Sequence, residues 1–175
     1  MHNRRRFLMI SSLLLFAPLQ ARYARPVAIR SAFYQTLGAV LDTLFPGGEG
    51  VPSPAFLHAF EYIGGVFEDP FVSETDKTFL KNGVGWIDEA AEERYGKPFY
   101  ALSWSHRENV LREVAKTAWG DGWVWSIFSF AFEALLGDPV YGINTREAGW
   151  RWLGHESGYP RPSEPFVDLP GEKFI

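Results

Sequence analysis

Trp123-Val124-Trp125-Ser126-Ile127-Phe128-Ser129-Phe130-Ala131-Phe132-Glu133-Ala134-Leu135-Leu136 is the stretch that decides the fold. It has helical length and is apolar nearly all round, interrupted mainly by Glu133. A helix without a polar face has to be wrapped by other elements. The flanking sequence supplies them. Upstream, Ile29, Phe33, Leu37, Val40, Leu41 and Leu44 recur at helical spacing between Val27 and Phe45, and Pro46-Gly47-Gly48 stops the pattern. Pro54 opens a second predicted helix, carrying Phe56, Leu57, Phe60, Ile63 and Phe67 to Asp69-Pro70. Ser73 caps a third through Trp86 and Ile87 to Tyr95, although Gly83 and Gly85 weaken its middle.

Ser105 and Glu108 have capping-box spacing ahead of Val110, Leu111 and Val114. Asn144 and Glu147 repeat that spacing and open a short helix through Trp150 and Trp152. After Gly154 the chain reads as Pro- and Gly-rich coil to Ile175. Neither an alternating run long enough for a sheet nor an internal repeat is present. The predicted fold class is mainly α: a single compact helical domain with an N-terminal signal segment and an extended C-terminal coil. The predicted boundaries are 1–25 for the signal, 26–162 for the helical domain and 163–175 for the tail.

Composition narrows the functional classes. The chain has 175 residues, enough for one core. A net charge of -4 argues against nucleic acid, whose phosphates call for a basic surface. There is no cysteine, which excludes disulfides, thiolate zinc sites, iron–sulfur clusters, covalently attached haem and a cysteine nucleophile. Seven Trp, seven Tyr and fifteen Phe predict a dense core and aromatic surface left for a partner.

The N-terminus carries an address. Arg4, Arg5 and Arg6 precede a 13-residue apolar stretch from Phe7 to Leu19. That is a secretory-signal pattern, shorter than the roughly 17–25 residues of a membrane-crossing helix. Asn3-Arg4-Arg5-Arg6-Phe7-Leu8 is similar to the bacterial twin-arginine signal, which exports proteins already folded, with Arg4, Arg5, Phe7 and Leu8 as its defining residues. Leu19-Gln20-Ala21 and Arg22-Tyr23-Ala24 are the candidate cleavage sites. Cleavage after Ala21 removes three arginines and takes the charge from -4 to -7. An acidic, extracytoplasmic protein is expected.

Motifs for chemistry are sparse. His58, His106 and His155 lack a partner in metal-ligand spacing, and no nucleophile elbow or Gly-x-Gly-x-x-Gly cradle occurs. Catalytic, cofactor and metal residues are therefore expected to be absent from this chain. The distinctive segment is Gly137-Asp138-Pro139-Val140-Tyr141-Gly142-Ile143-Asn144, with Gly149-Trp150-Arg151-Trp152-Leu153-Gly154-His155 and Gly158-Tyr159-Pro160-Arg161-Pro162 following. Asp138-Pro139 predicts a tight turn, Gly142 unusual dihedrals and Asn144 a helix cap. Trp150 and Trp152 are two apart, so on a helix they face different ways. These rings either fasten the C-terminal coil to the bundle or present a face to a partner.

This segment closely resembles the gluconate 2-dehydrogenase subunit 3 family, through Gly137-Asp138-Pro139-Val140-Tyr141-Gly142-x-Asn144, Gly149-Trp150 and the Pro160-Arg161-Pro162 end. Ile143 stands where the family usually has a second glycine. The twin-arginine start and the helices from about Ala32 fit as well. The resemblance implies a non-catalytic small subunit of a membrane-associated periplasmic dehydrogenase at the outer face of the inner membrane. The large partner would be a glucose–methanol–choline-type flavoprotein holding FAD, with a multihaem cytochrome c commonly accepting the electrons. The small subunit would carry the export signal to the twin-arginine translocase and assist maturation. Tyr141, Gly142, Asn144, Trp150, Trp152 and Arg161 are the residues expected at the partner interface, Asn144 serving foremost as a cap. The competing readings are a stand-alone periplasmic binding or envelope-structural protein, and an autonomous periplasmic enzyme.

Overall fold

The computed structural model describes residues 31–163. Arg4, Arg5, Phe7 and Leu8, the first predicted helix before residue 31 and the tail from 164 lie outside the described residues. Six α-helices make up most of what is described: α1 (Ala32–Leu44), α2 (Ala59–Glu68), α3 (Glu74–Tyr95), α4 (Trp104–Val114), α5 (Gly120–Leu136) and α6 (Ala148–Leu153). Short 3-10 turns lie at Phe99–Ala101, Pro139–Tyr141 and Thr145–Glu147. Strand-like pairing among the described residues is confined to one bridge between Gly48 and Val51. The mainly helical class is thus as the patterning predicted. No helix among the described residues is long and apolar enough to cross a membrane.

The hub is α5, the all-round apolar stretch, and it packs on each of the other five helices. Trp123, Ile127, Ala131, Ala134 and Leu135 are buried along it. The Trp123 indole N–H donates to the Leu80 carbonyl of α3 at 2.9 Å. It crosses α3 at Gly83, where a Cβ would lie 1.9 Å from Nε1. Gly83 lowers helix propensity, yet it is the notch that admits the largest fully buried side chain. Opposite, the Thr36 hydroxyl donates to Asp88 at 2.8 Å, and the same carboxylate accepts the Phe99 N–H at 2.8 Å. One acid thereby joins α1, α3 and the turn leading to α4.

Ahead of the C-terminal segment, three helix starts differ from the sequence patterning. The second predicted helix opens at Ala59, not at Pro54, because His58 has φ 56 in the left-handed region and breaks the preceding turn. The Leu57 carbonyl accepts the Asn144 N–H at 3.2 Å instead of continuing a helix. The capping box at Ser105 and Glu108 does not form. Ser103 precedes α4, its carbonyl taking the Arg107 N–H at 3.0 Å, while Glu108 pairs with Arg112 at 2.6 Å. Arg107 anchors that start by donating to the Phe99 and Tyr100 carbonyls. Finally, α5 begins at Gly120, before Trp123, because the Thr117 hydroxyl accepts the Gly120 N–H at 3.0 Å. Ser73 does cap α3, accepting from Asp76 N–H at 3.1 Å, and Gly96 closes it at φ 65.

Glu133 is the polar exception on α5. The Tyr62 hydroxyl of α2 donates to its Oε2, and its Oε1 is buried without a partner. Burial holds the Glu133 carboxyl above its ordinary value of 4.5, a shift the Tyr62 donation only partly offsets. The Tyr62 hydroxyl is itself pushed up, first by burial and then by the Glu133 charge. A carboxyl with a raised folded pKa binds its proton more tightly in the folded state. Its contribution is therefore full below 4.5 and is lost as pH rises through the raised folded value. Glu133→Gln is expected to flatten this dependence and to raise stability near neutral pH by about 1 kcal/mol, since the buried charge disappears while the amide oxygen still accepts from Tyr62 and the amide NH2 takes the unpartnered place. Denaturant unfolding from pH 4 to 8 measures it. An unchanged pH slope in the variant would assign the dependence elsewhere.

Candidate functional site at the C-terminal clasp

The distinctive segment folds back on the end of α5. Asp138 Oδ1 accepts the Val140 N–H at 2.9 Å and sets the Pro139–Tyr141 turn, which Gly142 ends at φ 80. The expected turn and glycine geometry are both present. Ile143 is buried, and its Cδ1 lies 2.4 Å from where a Cβ on Gly137 would sit. Ile143 therefore fills the space Gly137 leaves open.

Asn144 is fully buried at φ 48. It caps the helix through Trp150 and Trp152 as predicted, but not by the Asn144/Glu147 box: a 3-10 turn without a side-chain cap follows Asn144, and the α-helix starts at Ala148. Oδ1 accepts the Gly149 N–H at 2.8 Å, in the first turn of α6, and Nδ2 donates to the Gly137 carbonyl at 3.0 Å. It caps α6 from five residues upstream and binds the end of α5 with the same amide. Arg146 and Glu147 follow at φ 54 and φ 58, unusual for residues with a Cβ. This leaves Glu147 aimed at Arg161, whose Nη1 donates to its carboxylate at 2.6 Å.

Arg161 closes the clasp. Nη2 reaches Asp138 at 3.2 Å, Nη1 also reaches Ser157 at 3.2 Å, and the guanidinium lies 4.8 Å from the centre of the Trp150 ring. Trp150 is buried beneath it, its indole N–H donating to the Leu136 carbonyl at 2.7 Å. The His155 N–H returns to the Trp150 carbonyl at 2.8 Å. One arginine thus gives a single N–H to each of two carboxylates and covers an indole, while its buried Nε has no partner. The Tyr159-Pro160 peptide bond is cis. Of the two roles read from the sequence, fastening the coil is what these contacts perform.

The predicted interface residues divide by exposure. Asn144 and Trp150 are buried in the clasp, Arg161 and Tyr141 are partly covered, and Gly142 is exposed. Trp152 is 41% exposed and touches the bundle edge-on at Phe45, with ring centres 6.1 Å apart. The two tryptophans do face different ways. Other exposed aromatics escaped the sequence reading: Phe56 at 44%, Trp104 at 47% and Trp125 at 49%. The Trp104 signal was present in Ser103-Trp104-Ser105-His106-Arg107, where a large ring sits alone among polar neighbours. No group of three His, Asp or Glu side chains among the described residues could hold a metal ion. His106 stacks on Tyr95 at 4.1 Å, and His58 approaches Glu61 at 3.4 Å.

Fold and site define a small helical domain with a fastened C-terminal clasp and several large aromatic side chains left at its surface. The sequence profile of the family described as gluconate 2-dehydrogenase subunit 3 matches residues 32–158, and the chain belongs to that family. Membership makes it an accessory subunit of an oxidoreductase, with a dehydrogenase as its partner. No curated protein and no solved structure matches the chain.

Proposed function

We propose that the chain is a non-catalytic small subunit that exports and helps assemble a periplasmic, FAD-dependent dehydrogenase of the glucose–methanol–choline type. The observation that carries this reading is family membership across the helical domain. The chain docks in the cytoplasm on the folding, FAD-loaded large subunit. Arg4 and Arg5 then direct the folded pair through the twin-arginine translocase. The partners stay together at the outer face of the inner membrane, where the complex supplies the membrane association and a multihaem cytochrome c takes the electrons. FAD and haem belong to those partners, and substrate choice belongs to the large subunit.

Replacing Arg4 and Arg5 together by lysine is expected to leave both subunits in the cytoplasm, because the export route reads the arginine pair while lysine keeps the charge. Fractionation followed by flavin and immunoblot assays reads the outcome. Normal periplasmic delivery of the flavoprotein in that variant would sink the export role.

A further inference from the structure

Two grooves meet at Phe56. The larger, about 630 Å³, is lined by Asp42, Phe56, Trp104 and Arg107, and the smaller, about 390 Å³, by Phe56, Arg151 and Trp152. Gly48, Val51 and Pro52 line both, so the two make one continuous shallow face. Three exposed aromatic rings on one face, with arginines among them, is the composition of a protein-binding hot spot.

Charge sets the chemistry of the occupant. Arg151 is exposed and has no carboxylate partner among the described residues. Arg107 is fixed at its place by the Phe99 and Tyr100 carbonyls. Asp42 is the one acid lining the grooves, so the face is net basic on a chain whose net charge is -4. Arg107 and Arg151 are the two cations lining it, short of the basic cluster that recruits an anionic bilayer, so a protein segment is the fitting occupant. We infer that this face docks a carboxylate-bearing apolar segment of the dehydrogenase subunit, its apolar side chains against Phe56, Trp104 and Trp152 and its carboxylate on Arg151. This deepens the accessory-subunit reading and rests on it.

The test uses the full chain expressed with its dehydrogenase partner. A photoreactive p-benzoylphenylalanine replaces Phe56, or, as control, Phe71, which is 61% exposed and lines neither groove. The expected result is a cross-link from position 56 to a carboxylate-containing peptide of the flavoprotein, with none from position 71. Arg151→Glu is expected to weaken association at least tenfold with an unchanged melting temperature, and Arg151→Ala by less. Should the wild-type chain recover the flavoprotein while position 56 gives no cross-link and Arg151→Glu binds as tightly, the docking face is overturned and the accessory role stands. Recovery of no flavoprotein by the wild-type chain would overturn both. Binding of the wild-type chain to phosphatidylglycerol vesicles, lost in Arg151→Glu while the complex survives, would make this a membrane surface and overturn the inference.

Discussion

Gly83→Ala should destabilise the fold by about 2–4 kcal/mol, although a glycine-to-alanine change inside a helix by itself gains about 1 kcal/mol. The added Cβ would lie 1.9 Å from Trp123 Nε1 and 2.1 Å from Cδ1, distances that no indole tolerates. Trp123 then has to move off α3. Overpacking of that kind costs about 1–3 kcal/mol. The indole also leaves the Leu80 carbonyl, and a buried N–H without an acceptor costs about 1–3 kcal/mol more. Propensity is outweighed. A double-mutant cycle separates the terms: in a Trp123→Leu background the indole is gone, so most of the Gly83→Ala penalty should vanish. Urea unfolding of the four proteins measures the coupling. A Gly83→Ala protein as stable as wild type would mean that α3 and α5 do not cross as described.

Asn144→Ala is the second large effect, at about 3–5 kcal/mol. The substitution leaves the Gly137 carbonyl and the Gly149 N–H without their side-chain partners, each a loss of about 1–3 kcal/mol where buried. It also places alanine at φ 48, a conformation costing roughly 1–2 kcal/mol for a residue with a Cβ. Asn144→Gly removes that conformational cost but keeps both lost bonds, so it should recover about 1 kcal/mol of the damage. Asn144→Asp keeps the acceptor for Gly149; ionised, it has no donor for the Gly137 carbonyl, and only when protonated, with an O–H to donate there, does it fall between wild type and alanine. Near-ultraviolet circular dichroism of Trp150 and limited proteolysis after residue 137 would follow the clasp itself. A loss below 1 kcal/mol for Asn144→Ala would show that the backbone holds the clasp without its amide.

These two residues also mark what was legible in the sequence. Helix number and order followed from the spacing of apolar residues, because that spacing is a local property of each helix. Ser73 and Gly96 bound α3 through contacts within a few residues, and Ser73 was readable for that reason. Gly83 was readable only as a weakness, since its purpose depends on Trp123, in a different helix. The start of α2 was misplaced because its cause, the Leu57 carbonyl turning to Asn144, lies far along the chain. Likewise Ser105 fits a capping box on spacing, but the grip of Arg107 on two carbonyls starts the helix at Trp104. In the clasp, the turn at Asp138-Pro139 and the divergence of Trp150 and Trp152 were local and legible. The pairing of Arg161 with Asp138 and Glu147 was not, since charge pairs formed by a returning coil leave no spacing signature.

The bond between Leu57 and Asn144 carries a consequence of timing. A chain emerging from the ribosome makes its N-terminal half first, yet the loop leading to α2 has no resting place for its Leu57 carbonyl until Asn144 has been synthesised. The Gly137 carbonyl and the start of α6 wait for the same residue. Arg161, which fastens the coil, comes later still. The domain is therefore sealed from its C-terminal end, and a nascent or truncated chain lacking that end remains open where the bundle's central helix finishes, at Leu136 and Gly137.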